Sequence, residues 1–203
     1  MLFDELIRDN AQNSDITSLA AAQTGLAWIA EQRQDWGHAG SLCEKALAIY
    51  REQGLRFLIC PTLCQLGRIA IRQGDLKRAQ HDLDEGYAMS LDIFGIEYAA
   101  DALAGQAWLE AHQAQYGQAA RTIGAVQGLE QVFTLIFNAE RARLLAETAR
   151  ACQQALGQQH CAALISNAAQ VVRANIPTIE FDSAFEAMQM IDLRRILTLA
   201  RDP

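Results

Sequence analysis

A helix stop followed at once by a helix start recurs in this chain at a fixed interval. In Arg72-Gln73-Gly74-Asp75-Leu76-Lys77-Arg78-Ala79, Gly74 is free to take the left-handed conformation that ends one helix, and Asp75 to cap the open amides of the next. Related segments are Gln34-Asp35-Trp36-Gly37-His38-Ala39 upstream and Ala114-Gln115-Tyr116-Gly117-Gln118-Ala119 downstream, and Ala39, Ala79 and Ala119 stand 40 residues apart. A constant period of this size means an array of antiparallel helix pairs, each burying its apolar face against the next. The expected fold is therefore all-α.

Composition narrows the class. The 203 residues are 51% hydrophobic with three prolines, enough apolar surface for a sizeable core and few breaks in long helices. One elongated helical domain over 1–203 is the expectation. The net charge of −7 argues against nucleic acid or an anionic membrane as a partner, since both are bound through bulk basic surface. No stretch approaches a membrane span, and Met1-Leu2-Phe3-Asp4-Glu5 lacks the basic flank and apolar centre of a signal peptide, so a cytoplasmic location is expected. Five cysteines at irregular spacing suit reduced thiols rather than a disulfide framework.

In chain order, Phe3 and Leu6 lie 40 residues before Cys43 and Ala46, so residues 1–15 read as the second helix of a partial repeat, which suits either a piece cut from a longer protein or an atypical terminal repeat. Helix pairs follow over 17–54 (helices 17–33 and 38–53), 58–94 (58–73 and 76–93) and 97–131 (97–113 and 117–131). Pro61 is placed in a first helical turn, where its missing amide costs nothing. Gly67 and Gly86 should let the helices of the second pair approach closely, as Ala27 with Ala46 and Ala107 with Val126 would in the flanking pairs. A divergent pair covers 139–175, breaking at Leu156-Gly157, and capping helices occupy 182–201 with Leu193, Ile196, Leu197 and Leu199 as the last apolar stripe. Between the third and fourth pairs, Val132-Phe133-Thr134-Leu135-Ile136-Phe137 is apolar where a polar link would be expected. Its plainer reading is that the side chains cover the end of the groove or extend the preceding helix; the sharper one is an interaction patch of Phe133, Leu135, Ile136 and Phe137.

Chemical motifs are sparse. Cys60 and Cys64 share a helical face, but no second pair completes a four-ligand zinc site, so packed reduced thiols are expected and no metal or cofactor. Cys161 opens a helix whose dipole could activate a thiol, yet no acid or base accompanies it in sequence. Phosphate-binding glycine loops, nucleophile elbows and HExxH are missing, and an enzyme is not expected. Asp82 with Asp84 and Glu110 with His112 are two apart and read as solvated charges on different faces.

Leu66-Gly67, Ala70, Ala79, Leu83 and Gly86 sit at the offsets of the small and large packing residues of the tetratricopeptide repeat, which this chain resembles. The tail, through Ala119-Ala120-Arg121-Thr122-Ile123-Gly124-Ala125, Ala139-Glu140-Arg141-Ala142-Arg143 and Ala155-Leu156-Gly157, looks like the C-terminal repeat region of large bacterial regulators that couple a signal-transduction ATPase or a LuxR-type DNA-binding domain to helical repeats. It departs in the 40-residue spacing, against roughly 34 in the standard repeat, and in the apolar run over 132–137. The resemblance implies a right-handed superhelix, no catalytic residues, and a concave groove lined by the first helix of each pair. The offset then stacks Trp28, Arg68 and Trp108 in one ladder and Gln32, Arg72 and His112 in a second, one turn away. An aromatic, cationic, aromatic row suits an acidic ligand with an apolar part; its plainer reading is that the indoles belong to the core. The resulting expectation is a non-enzymatic protein-binding or assembly module in bacterial signal transduction or transcription control, with homo-oligomerisation left open. The alternative is an effector sensor whose groove closes on a peptide or small molecule.

Overall fold

The computed structural model describes residues 16–133, 135, 138–176 and 192–201. These form nine helices and no strand: α1 (Ile16–Gln32), α2 (Trp36–Glu52), α3 (Arg56–Gln73), α4 (Leu76–Asp92), α5 (Ile96–His112), α6 (Tyr116–Phe133), α7 (Ala139–Leu156), α8 (Gln158–Asn175) and α9 (Leu193–Arg201). The helix expected within residues 1–15 and the capping helix expected near 182–191 lie outside the described residues, as do Ile136 and Phe137 of the apolar run. Among the described residues no helix is long and apolar enough to cross a membrane.

One turn geometry is used five times. Gln34, Gly54, Gly74, Phe94 and Ala114 all have left-handed backbones, with φ of 60°, 66°, 81°, 54° and 60°, and they follow one another at 20-residue intervals. At each, the next residue's N–H reaches back across the helix end: Asp35 to the Ala30 carbonyl, Leu55 to Tyr50, Asp75 to Ala70, Gly95 to Ser90 and Gln115 to Glu110. This closure satisfies carbonyls that the helix end would leave open. The 40-residue repeat is thus two 20-residue half-repeats, each a helix plus one turn. Only two of the five positions carry glycine, which is why half of the period is hard to see in sequence. Asp35 and Asp75 then cap the following helices, accepting from the amides of His38 and Arg78 at 3.1 Å and 3.0 Å.

The chain divides into two compact units, Met1–Met89 and Ser90–Pro203. In the first, α1 supplies Ala20, Ala27 and Ala30 to a core completed by Leu42, Cys43, Ala46, Leu47 and Tyr50 of α2 and Ile59, Leu63, Leu66 and Ile69 of α3. Small side chains set the helix separation between α3 and α4. A Cβ on Gly67 would lie 2.6 Å from Leu83 Cγ, and one on Gly86 would lie 3.3 Å from Leu63 Cβ. Ala79 is fully buried, as its place in the repeat predicts. Ion pairs Arg51–Glu85 and Arg78–Glu44 join α2 to α4 on the surface. Pro61 lies a turn deeper in its helix than expected, because α3 begins at Arg56. It offers no N–H to the Phe57 carbonyl, and the next residue's hydroxyl, Thr62 Oγ1, donates to the Leu58 carbonyl at 2.7 Å.

In the second unit, α5 is buried on almost every side from Ala99 to Glu110 and packs on α6 and α7. Along α6, Gly124 and Gly128 press against α8: a Cβ on Gly124 would fall 2.2 Å from the Ile165 carbonyl oxygen, and one on Gly128 would fall 2.7 Å from Val172 Cβ. α9 lies on α6 and α8, burying Ile196, Leu197 and Ala200. Leu199, expected in the same stripe, is 43% exposed and faces outward. Val132 and Phe133 finish α6, two residues beyond the expected end, and both are half-buried, as is Leu135 after the helix.

Candidate binding surface

In the first unit, α1 and α3 carry an outward face of unusual composition. α3 contains Arg56, Arg68 and Arg72 and no acidic residue, while α1 contributes one charge, Glu31. Two helices of a chain with net charge −7 therefore hold three arginines against one carboxylate. Two aromatic rings stand out into solvent, Trp28 of α1 at 60% and Phe57 of α3 at 59% exposure. Phe57 and Arg68 are eleven residues apart, three helical turns, so they share one side of α3. The two helices meet through Gln65 Nε2, which donates to Glu31 Oε1.

Local interactions hold this face in place. Arg72, at the end of α3, stacks its guanidinium 5.9 Å from the centroid of Trp36, a cation–π contact. Trp36, the first residue of α2, was not singled out from sequence; its signal was an aromatic residue directly after a capping aspartate. Beneath the face, the Cys43 thiol is pushed up to about 12 by burial, with Glu31 raising it further and Arg68 opposing. Cys60 is likewise raised to about 11 by burial. Neither thiol is a ready nucleophile.

The expected ladders divide between the two units. Trp28, Gln32 and Arg72 are exposed and Arg68 is half-buried, all in the first. Trp108 and His112 belong to the second, and there Trp108 departs from expectation. Its indole is 2% exposed and packed in the core, and its Nε1 donates to Glu147 Oε1 at 3.2 Å. It offers no open aromatic surface. His112 is exposed but turned onto its own helix, with Nδ1 2.9 Å from the Trp108 carbonyl and its ring edge-on to the indole at 5.0 Å.

Two carboxylates read as solvated are buried. Asp82 is 8% exposed beside Arg78 and His81. Glu110 is 7% exposed and ion-paired with Arg201 of α9 at 2.7 Å. A further node forms around Arg141, whose side chain is 2% exposed and which donates to Asp101, Glu130 and Glu97 at 2.6, 2.9 and 3.2 Å. Asn138 caps α7 through its oxygen and donates its amide to Asp101, locking the same corner. The carboxylates lie on α5 and α6 and Arg141 on α7, so spacing within one helix gave no hint of them.

Among the described residues no three His, Cys, Asp or Glu side chains converge as a metal site would require. Cys152 is raised to about 11 and Cys161 is also raised, burial being the main cause in both, the reverse of the lowering considered for Cys161 at its helix start. The turn from α7 to α8 holds a shallow open depression lined by Leu156, Gly157, Gln158, Gln159 and His160. In comparisons with known proteins the chain matches no protein-family model, no curated protein and no solved structure.

Proposed function

We propose that this chain is a non-enzymatic protein-binding module of tetratricopeptide-like helix pairs, and that it takes an acidic partner segment with apolar side chains on the outward face of α1 and α3. The observation that carries the reading is the exposure of Trp28 on α1 and of Phe57 on α3, a helix with three arginines and no acidic residue. Exposed aromatic rings supply contact area at small entropic cost, and guanidinium groups grip carboxylates with directional hydrogen bonds. An electropositive patch on an otherwise acidic protein also selects against like-charged competitors and speeds encounter with acidic ones. Such a module would serve assembly or signalling, and the resemblance to the repeat region of bacterial regulators supports a role in signal transduction or transcription control.

The test uses the intact chain and a panel of peptides of equal length. Acidic peptides with Leu, Phe or Trp should quench or shift tryptophan emission and saturate, with affinity falling as salt rises. Neutral apolar peptides and basic peptides should not. Equal binding by basic and acidic members of the panel would overturn the assignment of partner class.

A further inference from the structure

A carboxylate of the protein itself reaches the cationic side of α3. Gln65, Arg68 and Arg72 follow one another at spacings of three and four, which sets them along one stripe of the helix. Glu31 of α1 meets that stripe: its Oε1 accepts from Gln65 Nε2, one helical turn from Arg68. Glu31 is the single acidic residue of α1 and α3 together, and it is half-buried.

Two observations set it apart from an ordinary surface charge. Glu31 lies in the last turn of α1, which has no basic residue, so its charge sits at the negative end of the helix dipole. Local helix stability disfavours it there, and the hydrogen bond across to α3 works against that cost. The repeat does not call for a carboxylate either. Forty residues on, the same position holds Ile71, 4% exposed, and after forty more Ala111. Gln65 departs in the same way, its equivalents being Gly25 and Gly105. Acceptor and donor thus leave the repeat pattern together, on the two helices that carry the exposed Trp28 and Phe57.

We propose that Glu31 is a built-in competitor for the acidic partner: its carboxylate holds the place on α3 that a partner's aspartate or glutamate takes. Binding is then an exchange, in which the incoming carboxylate takes over the Gln65 amide and the charge of Arg68 while Glu31 turns out into solvent. Its flexible side chain, next to the end of α1, can leave without moving the core. An acidic segment replaces one carboxylate by another and keeps the amide paired, whereas a neutral apolar segment leaves it without an acceptor. Selectivity of this kind comes from a competing interaction as much as from an attractive one. The inference rests on the reading that acidic partners bind at α1 and α3, and it adds how that surface is kept from neutral ones.

Titration of the full chain with an acidic peptide of Asp, Glu, Leu and Phe, followed by tryptophan emission, tests it. Glu31→Gln keeps the shape and an acceptor oxygen for Gln65 but removes the competing charge. It should bind the peptide about fivefold more tightly than wild type, the scale of one net hydrogen bond. Asp84→Asn, at an exposed position of α4, changes the net charge equally and should stay within about twofold of wild type, because a distant exposed charge is screened. No gain in Glu31→Gln, or an equal gain in both variants, overturns the competitor role and leaves the partner surface standing. If neither wild type nor Glu31→Gln binds the acidic peptide, both readings fall. Should Glu31→Gln fold poorly by circular dichroism, Glu31→Ala is held to the same thresholds in its place.

Discussion

Replacing Gly124 by alanine adds one methyl group at the closest helix contact in the second unit. In an open helix the change would stabilise, since alanine exceeds glycine by about 1 kcal/mol in helix propensity. Here the new Cβ would stand 2.2 Å from the Ile165 carbonyl oxygen, 2.9 Å from its carbonyl carbon and 2.8 Å from Ala168 Cβ. The obstacle is mostly backbone, so no side-chain rotation relieves it and α8 must withdraw by about 1 Å. A gap of that size forfeits a quarter to a half of the dispersion energy of the atom pairs it separates. The Gly128–Val172 contact on the same interface would loosen with it. Overpacking of this kind costs about 1–3 kcal/mol, and the backbone obstacle puts Gly124 at the upper end. After the propensity gain, a net loss of about 1–2 kcal/mol remains. Gly37→Ala is the internal control, because nothing lies within 4 Å of its added Cβ. Thermal and urea unfolding followed by far-ultraviolet circular dichroism should show Gly124→Ala several degrees below wild type and Gly37→Ala at or slightly above it. A Gly124→Ala protein as stable as wild type would refute the close packing of α6 on α8.

Three further outcomes are expected. Ala114 pays for a left-handed backbone that glycine adopts freely, so Ala114→Gly should raise stability by about 1 kcal/mol, and Gly74→Ala should lower it by a similar amount; opposite signs in urea midpoints would refute the turn assignment. With burial holding Cys43 near 12 and Cys60 and Cys152 near 11, the native protein at pH 8 should react with a thiol reagent only as fast as it opens, and all five cysteines should titrate once it is denatured. Glu110 is held above its ordinary 4.5 because burial outweighs the opposing influence of Arg201, Thr122 and Arg121, so the native state binds this proton more tightly than the unfolded chain does. Its contribution is full below pH 4.5 and is lost as pH rises through the raised native value. Glu110→Gln should therefore gain on wild type as pH increases from 4.5 toward 8, and a constant difference across that range would contradict the burial argument.

What could be read from the sequence follows from the range of each interaction. Helix stops and starts were legible because a left-handed residue and a capping aspartate act within a few residues, as at Gly74 and Asp75. The close contacts at Gly67 and Gly86 were legible because the repeat pairs their helices. The buried charges were not. Glu110 finds Arg201 across 91 residues of sequence and Arg141 draws carboxylates from α5 and α6, so neither pattern is visible within one helix. Trp108 was misread because the ladder treated successive first helices as equivalent, while α5 is enclosed on nearly every side and α1 is open at Trp28. A usable signal was present: from Ala99 to Trp108, α5 carries one charged residue, Asp101, as a helix buried all round does. Gly124 and Gly128, four apart on one face of α6, are a further signal of close helix packing, though not of its partner.

The proposed function requires that the exposed residues of α1 and α3 bind the partner. Calorimetric titration of an acidic, apolar peptide into wild type, Trp28→Ala, Arg68→Ala and Lys45→Ala addresses it directly, Lys45 being an exposed cation on α2. Arg68→Ala should weaken binding by about 1.5–3 kcal/mol, the range for hydrogen bonds to charged groups, and Trp28→Ala should weaken it through lost contact area. Lys45→Ala should bind as wild type does. Unchanged affinity in the Trp28 and Arg68 variants, with loss of binding on Lys45→Ala, would contradict the account.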